Sequence, residues 1–176
     1  IAKGLLENEK YDVSGISPQL EKVYSCDWDD DVYEIFEQLQ TNNNTDFILS
    51  NHSYGIPLLD ANNELIPESE EIGGYSLWSS LIDEITYTYP NYLHVVAGGN
   101  DGRKAYPSQS VNGLDQLTGS TTSKNALTVG SFSMDDNSEN ITPTGFSSAC
   151  PTNEFRIKPE IWAAGQNQTV ASWDEN

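Results

Sequence analysis

A chain of 176 residues with 36% hydrophobic content suits one domain with a real core. Its net charge of −19, from 27 acidic residues against 8 Lys and Arg, repels polyanions, so no nucleic-acid partner is expected. No run of about 18 apolar residues is present, so no membrane insertion is expected either.

The chain opens on Ile1-Ala2-Lys3-Gly4, which has neither an initiating Met nor the order of a signal peptide and reads as a piece of something longer. Residues 21–26 read as a short strand. Asp31 then stands as an N-cap with Glu34 three residues on, a capping box. Val32, Ile35, Phe36 and Leu39 follow at the spacing of a helix buried on one side. Phe47-Ile48-Leu49 suits a buried parallel strand. A polar, acidic loop covers roughly 56–73. Leu77, Trp78, Leu81, Ile82 and Ile85 mark a second amphipathic helix, stopped before Pro90. Leu93-His94-Val95-Val96-Ala97 and Ala126-Leu127-Thr128-Val129-Gly130 are two more strands. This alternation predicts a parallel α/β sheet, whose ligands bind beyond the carboxyl ends of the strands.

Acidic residues gather at Asp27-Trp28-Asp29-Asp30-Asp31, at Glu68-Ser69-Glu70-Glu71 and at Met134-Asp135-Asp136-Asn137-Ser138-Glu139. They read as solvated loops and helix starts. Calcium is the one metal they could hold, but none has the D-x-D-x-D-G spacing, so no site is assigned. Cys26 and Cys150 are the only cysteines; one disulfide between them is possible, and two free thiols or a half-buried small apolar pair is the preferred reading.

Three strands end in polar or glycine-rich stretches: Asn51-His52-Ser53-Tyr54-Gly55, Ala97-Gly98-Gly99-Asn100-Asp101-Gly102 and Gly130-Ser131. The second of these brings a dinucleotide fingerprint to mind. Ala97 stands where its first Gly belongs, however, and Arg103-Lys104-Ala105-Tyr106-Pro107 opens no helix to receive a pyrophosphate. An asparagine amide at a strand end can instead donate to the oxyanion of an acyl transfer.

Residues 93–102 resemble the "VVAAGNEG" segment of subtilisin-like serine proteases. Gly15-Ile16-Ser17-Pro18-Gln19 with Lys22-Val23-Tyr24 resembles "GVAP-x-AKLY". Asp46 to Gly55 is similar to "DVINMSLG", and Ser123 to Ser131 to "AKNVITVGA". Phe146-Ser147-Ser148 followed by Arg156 to Gly165 is similar to "FSS…GRIKPDIVAPG". Five blocks stand in family order over nearly the whole chain. The departures are Ala164 for the proline of "APG", Cys150 within "RGPT", and Gly98 for an alanine beside the asparagine.

The resemblance implies an incomplete three-layer parallel sheet of subtilisin type, one partial peptidase domain over 1–176. The family's catalytic Asp, His and Ser stand in "D-T/S-G", "HGTHVAG" and "GTSMAAP", and none of these occurs here. Residues 1–4 look like the tail of the His block, and Thr169-Val170-Ala171-Ser172-Trp173 like the approach to the Ser block. Gly119-Ser120-Thr121-Thr122-Ser123 leads into the wrong sequence to be "GTS". His52 reads as a loop residue lining the cleft and His94 as a surface or core-edge residue, so no triad can be assembled.

For the intact parent the resemblance implies peptide hydrolysis by a Ser-His-Asp mechanism on polypeptide substrates. Asn100 would be the oxyanion donor, with Ser53, Tyr54, Gly55 and Ala97, Gly98, Gly99 as substrate-binding walls. It implies no organic cofactor and a secreted or cell-surface location, to which the sequons at Asn43, Asn51, Asn140 and Asn167 add a little. The chain alone is expected to be inactive. The family's Asp-bearing strand lies inside the sheet, so its absence predicts open edges and a homodimer that covers them. The alternative is a non-catalytic peptide-binding or scaffold domain on the same frame.

Overall fold

The computed structural model describes residues 5–7, 12–14, 17, 19–27, 30–41, 48–62, 64–66, 72–102, 115–134, 140–149 and 151–166. They belong to two units, Ile1–Glu34 with Asn167–Asn176, and Ile35–Gln166. Expectations placed on Ile1 to Gly4, Trp28, Asn43, Phe47, residues 103–107, Asp135 to Glu139, Cys150 and residues 167–173 lie outside the described residues.

In the first unit, β1 (Leu5–Glu7) and β2 (Asp12–Ser14) pair antiparallel, with Leu6 opposite Val13. Residues 21–26 form no strand. A strand exists only through its ladder, and no described strand pairs with this segment.

Helix α1 spans Asp31–Thr41. The Tyr33 and Glu34 amides donate to the Asp30 carbonyl at 3.0 and 3.1 Å, so Asp30, not Asp31, stands at the cap. The Glu34 carboxylate accepts from the Asp27 amide at 2.6 Å. The capping-box idea is therefore corrected: Glu34 ties down the chain four residues before the helix. The predicted apolar stripe is otherwise present, with Ile35 and Leu39 buried.

The second unit is built on a mixed sheet. Strand β3 (Leu49–His52) pairs parallel with β4 (Leu93–Ala97), and β4 with β5 (Leu127–Met134). Strand β6 (Ile141–Pro143) pairs antiparallel with β5, and β7 (Ile161–Ala164) parallel with it. The expected parallel sheet holds for four of the strands, and β6 is the exception. Eight residues of β5 suffice for three partners because successive carbonyls point to opposite edges. Val129 and Ser131 accept from Gly98 and Thr144 on one edge, Thr128 and Phe132 from Glu160 and Gly165 on the other.

Strand β3 begins two residues later than expected and is not a buried strand, since Ile48 and Leu49 are 57% and 54% exposed. It is the edge strand of the described sheet.

Helix α2 spans Leu77–Thr88. Ser76 caps it by accepting from the Ser79 amide, and the Tyr89 amide closes it on the Ile85 carbonyl ahead of Pro90. Its buried face is Ser79, Ile82, Ile85 and Thr86, while Leu77 is 85% exposed. The hydrophobic face predicted from Leu77 and Trp78 is thus rotated. Polar satisfaction explains the rotation: buried Ser79 Oγ donates to the Gly119 carbonyl at 2.8 Å and meets Thr122 Oγ1 at 2.7 Å. Buried hydroxyls of this kind are tolerated only when paired.

Residues Gly119–Thr122 form a 3₁₀ turn. Thr122 Oγ1 donates to the Gly74 carbonyl, and Thr128 Oγ1 donates to the Thr121 carbonyl. The run that imitates a nucleophile motif is packing material.

The two faces of the sheet differ. Register partners project to one side. His52, His94, Val96 and Thr128 are buried, none more than 5% exposed. The opposite side carries Leu49 beside Leu93, Val95 beside Leu127, and Val129 beside Ile161. Leu93 and Ile161 there are 39% and 45% exposed. Parallel strands are ordinarily covered on both faces, and here, among the described residues, one apolar face is only partly covered: Val95, Leu127 and Val129 are half-buried and Leu49, Leu93 and Ile161 exposed.

Candidate functional site

The exit of β4 is held on both sides. The Gly98 amide extends the ladder to the Val129 carbonyl at 2.9 Å. Gly99 turns the chain at φ +106°, where a Cβ would come 2.8 Å from Ser148 Oγ. Such a φ is open to glycine and strained for other residues. The Ser148 amide donates to the Gly99 carbonyl at 3.0 Å, and the Asp101 amide donates to Ser148 Oγ at 3.0 Å. The Gly102 amide donates to the Phe146 carbonyl at 2.9 Å, and a Cβ on Gly102 would lie 2.2 Å from the Ser147 carbonyl oxygen.

Asn100 therefore sits between anchored neighbours. It is exposed, and none of the described hydrogen bonds uses its side chain. A preset amide without an internal partner is what an external acceptor requires.

Two adjoining cavities meet at this residue. The first, about 290 Å³, is lined by Asn51, Ser53, Ala97, Asn100, Ser131 and Ala163 among others, at the strand ends and on the partly covered face. The second, about 210 Å³, lies between Ser53-Tyr54-Gly55 and Ala97-Gly98-Gly99, with Asn100 at the junction and Gln116, Thr118 and Thr121 beyond. All seven residues singled out from the sequence are thus placed around one connected pair of hollows at the carboxyl ends of parallel strands, where ligands of such sheets bind.

The sequence reading missed Ser147 and Ser148. Both are buried: Ser148 brackets Asn100, and Ser147 Oγ accepts from the Ser131 amide at 3.1 Å. Their signal was present in the Phe146-Ser147-Ser148 block, which carried no assigned role.

Both histidines are corrected. His52 and His94 are 5% and 2% exposed, stack at 3.9 Å with 23° between their planes, and line neither cavity. His52 Nε2 lies 2.6 Å from Ser50 Oγ. That is the spacing of a nucleophile and its base, yet the pair is on the covered side of β3, and His52 Nδ1 meets Tyr54 Oη. It has no route to a substrate in either hollow. Burial, with His52 beside it, drives the His94 pKa down to about 3, so this ring is neutral at ordinary pH.

Lys158 is a structural cation. It is 2% exposed, donates to the Ala126 carbonyl at 3.0 Å and pairs with Glu160 Oε1 at 2.5 Å. Burial holds its pKa below the usual lysine value. Glu160 Oε2 in turn accepts from the Thr128 amide at 2.8 Å. The pair clamps the entry of β7 to β5.

Cys26 is a free thiol. Among the described residues no three His, Cys, Asp or Glu side chains gather as a metal site, and no helix is long and apolar enough to cross a membrane.

Comparison with known families gives a match to the model described as the subtilase family over residues 16–176. No curated protein matches the chain.

Proposed function

The chain belongs to the subtilase family, and on that premise we propose that it is the internal part of a serine endopeptidase that cleaves polypeptides by a Ser-His-Asp mechanism. The observation that carries this reading is the placement of Asn100. Its unpartnered amide stands at the mouth of both cavities, beyond a parallel strand. In this reading the serine of the complete protein attacks a peptide carbonyl held in the first hollow, histidine takes the proton, and the Asn100 amide donates to the oxygen as it gains charge. Ser53-Tyr54-Gly55 and Ala97-Gly98-Gly99 form the two walls that receive the side chain before the scissile bond.

The partly covered face supports an incomplete three-layer fold. A second helical layer, bearing the missing catalytic groups, would cover Leu93, Val95, Val129 and Ile161. Expressed without that layer, the chain is inactive and pairs with a second copy through the same apolar surface. Secretion follows from the family and stands as part of this proposal.

Gly98 does not argue for a degenerate, non-catalytic frame. A Cβ there would find its nearest neighbour, the Val129 carbonyl oxygen, at 3.4 Å, so the family's alanine and this glycine fit the same floor.

The test is Asn100→Ala in the complete protein, assayed on a chromogenic peptide. We expect kcat to fall by about 10²–10³ with KM nearly unchanged, because the donor acts chiefly in the transition state. Unaltered kcat would remove Asn100 from the mechanism.

A further inference from the structure

The covered face of β3 and β4 carries a polar chain that packing alone does not require. Ser50, His52 and Tyr54 follow one another at the two-residue spacing of one strand face; His94 on β4 and Tyr92 just before that strand face them, with Ser50 in register with His94. Tyr54 Oη lies 2.6 Å from His52 Nδ1, and His52 Nε2 lies 2.6 Å from Ser50 Oγ. Ser50 Oγ lies 2.5 Å from Tyr92 Oη, which is 3.3 Å from His94 Nδ1. The stack on His94 closes the circuit.

Three of the inner members are buried, and Ser50 is half-buried. His52, Tyr92 and His94 are each at most 5% exposed. Tyr54 differs: it lies beyond the last residue of β3, is 42% exposed, and forms part of the wall of the second cavity. An exposed aromatic side chain has several rotamers of similar energy. A hydrogen bond to a ring that is itself fixed at its other nitrogen and across its face selects one of them.

We propose that His52 is a positioning residue for substrate selection: it holds Tyr54 across the second cavity and so limits the size of the side chain that enters. This rests on the peptidase reading for the meaning of the cavity, though the hold on Tyr54 does not. At about 210 Å³ the hollow is below the roughly 300–1,000 Å³ of sites for drug-sized ligands, the scale of a single side chain, and a few ångströms of ring movement would change what fits. His52 touches no substrate in this arrangement and acts only through Tyr54.

The experiment uses the complete protein and peptides whose scissile amide is reduced to an amine, so that they bind without being cut. Two peptides differ only in Ala or Phe at the position facing the cavity. We expect Tyr54→Phe, and equally His52→Phe, which keeps the ring stack, to favour the Phe peptide by roughly 3- to 10-fold in relative affinity, the scale of one hydrogen bond. The double variant adds nothing further to the ratio, because each change breaks the Tyr54–His52 bond, and the Ser50 contact that His52→Phe also loses lines neither cavity. Ring carbon signals of Tyr54 shift in His52→Phe, and Tyr54→Phe is at the surface and folds in any case.

An unchanged affinity ratio in Tyr54→Phe, or additive effects in the double variant, would overturn the proposal. So would a Tyr54 signal indifferent to His52→Phe. Peptides that bind with this selectivity while the uncut parent peptides are never hydrolysed would support His52 and instead remove the peptidase reading.

Discussion

The imidazoles of His52 and His94 lie face to face at 3.9 Å, on neighbouring parallel strands and buried. Burial first, and the neighbouring ring second, disfavour a proton on His94.

His94 is held near a pKa of 3 by burial first and His52 second, against about 6.5 in an unfolded chain. Between these values the unfolded chain binds a proton that the folded one refuses. Its contribution to stability is complete above about pH 6.5 and is lost as pH falls toward 3, at up to about 1.4 kcal/mol per pH unit. Urea unfolding from pH 7 to 4 should therefore show a slope that His94→Phe reduces by about that amount. Parallel pH profiles would contradict this.

The glycines at the β4 exit should separate sharply. Gly98→Ala meets nothing nearer than 3.4 Å and should leave the melting temperature within a few degrees. Gly102→Ala would press a methyl to 2.2 Å from the Ser147 carbonyl oxygen, backbone that cannot step aside, and should cost about 3 kcal/mol or more. Calorimetry of the two variants settles the order.

Lys158→Ala strips the partner from Glu160 and from the Ala126 carbonyl and leaves a void, an expected loss of roughly 2–5 kcal/mol, chiefly from the cavity. Lys158→Met fills the space of the aliphatic stem, and Glu160, one-third exposed, can turn to water. Chemical denaturation should find the Met variant clearly the more stable. Equal losses would show that the ion pair, not packing, fixes the β5–β7 contact.

The partly covered face predicts self-association of the 176-residue chain. Light scattering at micromolar concentration should give a dimer, and Val95→Glu, on that face, should give a monomer of unchanged far-ultraviolet spectrum. A monomer from the unaltered chain would mean that the face is covered in some other way.

Much of this could be read in the chain. The strand at 93–97 was located to the residue, because five consecutive residues lie between clear turn signals, and Pro90 marked the end of α2. Where sequence failed, packing had overruled pattern. Leu77 and Trp78 fit a hydrophobic stripe, but the hydroxyl of Ser79 finds partners only inward, so the helix turned the other way. His94 looked like a residue of the surface or core edge because imidazole is polar. It is buried because the second ring covers its face and Tyr92 meets its Nδ1, while its Nε2 has no hydrogen-bond partner among the described residues.

Family membership and the line of small residues leading to Asn100 were fixed by local sequence, since glycine tolerance and strand periodicity act over a few residues. Tertiary structure alone decided which groups meet across distant segments: Ser148 bracing Asn100, Lys158 reaching Ala126, and His52 standing between Ser50 and Tyr54. Those contacts depend on strand register, and register is set by the burial of a whole face, which no short stretch of sequence encodes.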